Sequence, residues 1–182
     1  MVRPAKTVQD SSDIEAMNPG ATDQRLINAA IGYCELRMYD DARRELGQVS
    51  QGLQDSENVI ALKLAIYQGE KQWEPMLSLA KKLVRIDPPN VQWRISWAYA
   101  TRRAESIEAA KMILLDTVEL HPTEPLVHYN LACYECQLGD LASAESYLKK
   151  AFELAPQYSD LALEDEDLAP MRAMIRELSG KD

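Results

Sequence analysis

The chain has 182 residues, a formal net charge of -9, seven glycines, one phenylalanine and three cysteines. An acidic balance argues against nucleic acid, whose phosphates call for a basic surface. No apolar run reaches the ~18 residues a membrane span needs, and the first twenty residues carry no apolar stretch of the kind a secretory signal uses, so no membrane role and a cytoplasmic location are expected. Three cysteines, Cys34, Cys133 and Cys136, are too few and too unevenly placed for a disulfide framework.

Residues 1–22, with "QDSSDIEAMNPGATD", are polar and aperiodic and are expected to form a flexible extension. From residue 23 a period of 34 runs down the chain. Pro88, Pro122 and Pro156 share it, as do Ala42, Met76, Ala110 and Ala144, then Leu46, Ala80, Leu114 and Leu148, and finally Ala30, Leu64, Ala98 and Ala132. Several columns in one register define a repeat. The units are 23–56, 57–90, 91–124 and 125–158.

Within a unit, apolar residues recur at three and four, as in "LVHYNLACYECQL" and "LASAESYLKKAFEL", the stripe of an amphipathic helix. Between these two runs, Gly139 supplies a left-handed helix end and Asp140 can cap the helix that follows. The recurring proline ends the second helix, because it lacks the N–H that would continue it. Each unit is thus expected to be an antiparallel helix pair. The first unit has Gln54 where the others have proline. After the last unit, 159–182 is expected to cap the array: a short helical run, an acidic turn at Glu164–Asp167, and a last helix starting near Asp165 or Asp167, with Met171, Met174, Ile175 and Leu178 on one apolar face.

"YNLACYECQLGDLASAESYLKKAFELAP", with its Gly-Asp turn, paired alanines Ala144 and Ala151 and closing Pro156, resembles the tetratricopeptide repeat family. "WRISWAYATRRAESIEAAKMILLDTVELHP" is similar but has Thr117 at the second alanine position. The resemblance covers about residues 23–158, with unit 57–90 departing most from the pattern. It implies an all-α, right-handed α-solenoid of about four antiparallel helix pairs plus a C-terminal capping helix. Family members that grip carboxylate-ended tails use a Lys-Asn, Asn, Lys-Arg set on their inner helices. Ile27, Ile31, Leu62, Gln92 and Ser96 stand in the corresponding places here, so that clamp is absent.

Little chemistry is expected. Cys133 and Cys136 form a C-x-x-C inside a helix with no second ligand pair, and His128, five residues from Cys133, does not converge on it. His121 and His128 suggest no triad, and no phosphate loop is present. The acidic turn lacks the spacing and central glycine of a calcium loop. No enzyme activity, metal or cofactor is expected.

In the family register the inner face carries Asn28, Ile31, Gln68, Ile95, Tyr99, Arg102, Arg103, Tyr129, Asn130, Cys133 and Gln137, a mixed surface suited to a peptide or helix of a protein partner. Arg102 and Arg103 also complement the dipole at a helix end, which is explanation enough for arginines there. The expected role is a non-enzymatic interaction scaffold or adaptor. The alternatives are a dedicated chaperone of a secreted client and a homo-oligomerisation module.

Overall fold

The computed structural model describes residues 19–180. Among them are ten α-helices and two 3-10 turns, with no strand. They divide into two compact units, with the boundary between Leu79 and Ala80.

The first unit contains α1 (Pro19–Glu35), α2 (Tyr39–Gln48), a 3-10 turn at Gln51–Leu53 and α3 (Glu57–Gly69), followed by the start of α4 (Trp73–Ile86). Helix α1 begins four residues before the repeat boundary expected at residue 23. The rest of the expected extension, residues 1–18, lies outside the described residues. Ala30 and Ala42, members of two repeat columns, are fully buried where α1 packs on α2, with Leu26, Leu46, Val49, Val59 and Ile66 filling the core around them. Alanine at those positions lets the helix backbones approach, and the larger side chains beside it fill the remaining volume.

Two details of this unit concern its turns. Arg37 and Lys71 end α1 and α3 with φ of 58° and 59°, a left-handed conformation that glycine adopts without strain. They stand one repeat apart and occupy the same column as Gly139. Gln54 replaces the missing proline by different chemistry. Its amide Nε2 donates to the carbonyls of Leu46 and Val49 at 2.8 and 2.7 Å, satisfying acceptors at the end of α2, while its Oε1 accepts from Lys63 Nζ at 2.8 Å. Gln54→Ala is expected to lower stability by about 1 kcal/mol, because the half-buried Val49 carbonyl loses the amide donor and the Leu46 carbonyl is left with the longer bond from the Val49 N–H at 3.4 Å. An unchanged denaturation midpoint would show that water replaces the amide without loss.

The second unit contains the remainder of α4, then α5 (Val91–Ala104), α6 (Ile107–Leu120), α7 (Pro125–Leu138), α8 (Leu141–Leu154), α9 (Tyr158–Glu164), a 3-10 turn at Glu166–Met171 and α10 (Arg172–Ser179). Helix α5 pairs with α6 and α7 with α8, and α6 also packs on α7. Asn90, Ser106, Glu124 and Asp140 cap the four helices, each accepting a backbone N–H from the first turn. Gly139 has φ 87°, and Pro88, Pro122 and Pro156 each follow a helix end. Thr117, fully buried where the repeat usually has alanine, donates its hydroxyl to the Ile113 carbonyl at 2.6 Å, so its polar atom is satisfied within its own helix.

The C-terminal segment departs from expectation in one respect. The last α-helix starts at Arg172, and Glu166–Met171 forms a 3-10 turn. Pro170 lies inside that turn and has no N–H to donate to a helical ladder. Leu168, Met171 and Ile175 are buried against the core that holds Leu131, Ala132 and Leu148. The turn lies directly on α7.

Candidate functional site

Tyr129, Cys133 and Gln137 follow one another at intervals of four along α7 and therefore share a face. Arg102 reaches the same place from the last turn of α5. The chain's own residues 165–168 lie on this face. The Tyr129 hydroxyl donates to Asp165 Oδ2 at 2.8 Å, and Cys133 Sγ lies 3.7 Å from the same oxygen. Arg102 holds Asp167 with both terminal nitrogens, Nη2 donating to Oδ1 at 2.8 Å and Nη1 to Oδ2. Gln137 Nε2 donates to the Asp167 carbonyl at 2.8 Å, and the Asp167 N–H donates back to Asp165 Oδ1 at 2.9 Å. Leu168 then enters the core with no exposed surface. The Arg102 guanidinium also lies 5.2 Å from the Tyr134 ring centroid, a cation–π contact.

The electrostatics follow from these contacts. The two hydrogen bonds from Arg102 hold the Asp167 carboxyl below the usual carboxylate range, and the same pairing raises Arg102. Burial pushes the Tyr129 hydroxyl upward, reinforced by its bond to Asp165. Burial also pushes the Cys133 thiol well up, with the Asp165 and Asp167 charges acting in the same direction. Cys133 is thus held toward its protonated thiol form at neutral pH. Sγ and the two carboxylates offer ligand atoms within 4.8 Å of one another. This donor set does not fit a metal: the Arg102 guanidinium already takes both Asp167 oxygens, and Tyr129 and the protonated thiol address Asp165. The chemistry is that of a charge-assisted hydrogen-bond cluster.

A depressed carboxyl contributes stability above its unfolded pKa and loses it as pH falls through the lower folded value. The Asp167 tether is therefore expected to hold throughout the neutral range and to loosen below the ordinary carboxylate range. The Gln137 side-chain amide resonance should follow that titration by NMR. Loosening near neutrality would contradict the assignment.

The remaining expected residues are placed differently. Ile95 is buried in the core that also holds Tyr129 and Cys133. Arg103 lies over the Tyr99 ring, 5.4 Å from its centroid, and Asn130 is half-buried. In the first unit, Ile31 is 40 % exposed, Asn28 accepts a hydrogen bond from Gln24 at 2.9 Å on an exposed surface, and Gln68 is exposed. The sequence reading missed Asp165, Asp167, Tyr134 and Leu168 as parts of the cluster. The signal available for them was charge complementarity between "TRRA" and "EDEDL". Cys34, Cys133 and Cys136 are free thiols. No helix among the described residues is long and apolar enough to cross a membrane.

Comparison with known proteins agrees with this architecture. Residues 125–158 match the tetratricopeptide repeat family model. No curated protein matches the chain significantly. Among solved structures, Pseudomonas aeruginosa PilF superposes with a TM-score of 0.70 at 19% identity, covering 90% of this chain and 77% of that one. A MamA protein gives 0.68 at 16% identity, covering 88% and 91%. The tetratricopeptide protein TTC0263 of Thermus thermophilus gives 0.64 at 19% identity, covering 88% and 93%. At these identities the likeness establishes the fold.

Proposed function

We infer that this chain, a tetratricopeptide repeat protein in its fold and in the sequence of its fourth repeat, is a non-enzymatic interaction scaffold that receives a peptide or helix of a protein partner on the faces of its repeat helices. The observation that carries the reading is that the α5–α7 face already holds a protein segment. Arg102, Tyr129 and Gln137 engage two carboxylates and a backbone carbonyl of residues 165–167. Those are the contacts by which a groove reads a peptide. Tyr99 and Arg103, stacked on one another beside this cluster, are the aromatic and arginine anchors of the proposed surface.

The test is affinity capture from the native cell extract, with bound chains quantified for three proteins. Tyr99→Ala with Arg103→Ala is expected to lower recovery of the partner at least tenfold, roughly the ~2 kcal/mol that a hot-spot pair carries, with helix content unchanged. Lys149→Ala with Glu153→Ala is the control on α8, where exposed charges contribute little. Retention by the first variant and loss by the control would move the site to the α8 surface. Recovery of a second copy of this chain as the dominant bound species would favour homo-oligomerisation instead.

A further inference from the structure

We propose that the α5–α7 face is a recognition site for an acidic segment of the form Asp-x-Asp-Leu, and that residues 165–168 are its resident occupant, which a partner segment of the same chemistry displaces. The inference rests on the peptide-binding reading above and adds the partner's chemistry and a mode of regulation.

Four separate features of the resident segment are read by four different groups. The first carboxylate meets the Tyr129 hydroxyl, the second meets the Arg102 fork, the backbone carbonyl between them and the leucine meets the Gln137 amide, and the leucine fills an apolar site. A segment that only covered an apolar end would need the leucine alone. The intervening Glu166 points outward, its side chain 86 % exposed and paired with Arg172 of its own segment, so the second position of the motif is not read by the α5–α7 face. The read residues lie where Asp165, with an extended backbone, caps and leads into the 3-10 turn of Glu166–Met171, so the segment is read as a capped turn.

Displacement is feasible because a competitor with the same groups restores each contact it breaks. What the resident segment retains is its tether, which acts as an effective concentration on the order of millimolar for a short connection. A free peptide of identical sequence is therefore expected to bind the intact protein only at about millimolar concentration. Weakening the resident segment lowers that barrier.

The experiment uses the full chain and a fluorescein-labelled peptide with the sequence of residues 162–171, ALEDEDLAPM, followed by anisotropy. Asp165→Ala with Asp167→Ala is the released form, and Asp165→Asn with Asp167→Asn is an isosteric version should the first fold poorly. Cys133, 3 % exposed beneath Asp165, serves as an internal reporter: its rate of alkylation is read by mass spectrometry, with Cys34 as reference. The released form is expected to bind the peptide at least tenfold more tightly than the parent, to alkylate Cys133 at least tenfold faster, and to regain protection when peptide is added. Adding Arg102→Ala should abolish the binding. Equal, Arg102-dependent binding by parent and released form would overturn the resident-occupant role while leaving the peptide-binding reading intact. No peptide binding and an unchanged Cys133 rate, in variants that still melt cooperatively, would overturn the proposal entirely and make the segment a fixed cap. In that case the capture experiment with Tyr99 and Arg103 decides the broader reading independently.

Discussion

Ala144→Arg is expected to abolish the cooperative melting of the second unit. Ala144 has no exposed surface and belongs to the core that α7 and α8 form with Leu131, Ala132, Leu148 and Ala151. Its methyl fills a place where two helices approach too closely for a longer side chain. Arginine there overpacks the contact and brings a cation into an apolar core, and each effect costs about 1–3 kcal/mol or more. Their sum is a large part of the ~5–15 kcal/mol that holds an ordinary domain together. Circular dichroism during heating reads the loss directly. A variant that melts like the parent would mean that α8 is turned differently about its axis from the arrangement described.

Leu168→Ala is expected to destabilise the protein by about 2–5 kcal/mol, the range for truncating a fully buried leucine where the surroundings relax only partly. Leu168 has no exposed surface and packs in the same core as Met171 and Ile175. Glu166→Ala, two residues earlier, removes a side chain that is 86 % exposed in its pair with Arg172, and it should change stability by no more than about 0.5 kcal/mol. The contrast between near neighbours separates a segment anchored by its leucine from a loosely attached tail. Equal, small effects for the two would show the latter. The same leucine sets the affinity that a displacing partner has to match.

The repeat itself was legible in the sequence because its signals are local and periodic. Pro88, Pro122 and Pro156 mark helix ends, and Gly139 and Asp140 make the left-handed turn and cap expected of them. Arg37 and Lys71 gave no such signal, since neither residue type favours a positive φ; only their shared column with Gly139 could have suggested it. Gln54 was visible as a missing proline, but its role depends on reaching back to Leu46 and Val49, which needs the folded turn. The start of α1 was hidden because the stretch up to residue 22 is polar, aperiodic and carries Pro-Gly, yet the helix already runs from Pro19.

The cluster on the α5–α7 face was half legible. The register placed Arg102, Tyr129, Cys133 and Gln137 on one surface, and the structure brings all four together. It did not reveal that Asp165 and Asp167 lie against them. Each partner had a sufficient local explanation, a helix dipole for Arg102 and an acidic turn before the last helix for Asp165 and Asp167, so nothing in either stretch called for a contact across 65 positions. Long-range pairing of this kind depends on how the segment after the last repeat folds back, and there the 3-10 turn and Pro170 decide the path.

The most direct measurement is a double-mutant cycle on Arg102 and Asp167, with stability taken from chemical denaturation of the parent, Arg102→Ala, Asp167→Ala and the double variant. Their side chains are 13% and 30% exposed, so the pair is partly shielded from water and salt. A coupling energy of about 1–3 kcal/mol is expected for a two-point, charge-assisted contact. Effects that add to within about 0.5 kcal/mol would contradict it and remove the acidic segment from the α5–α7 face.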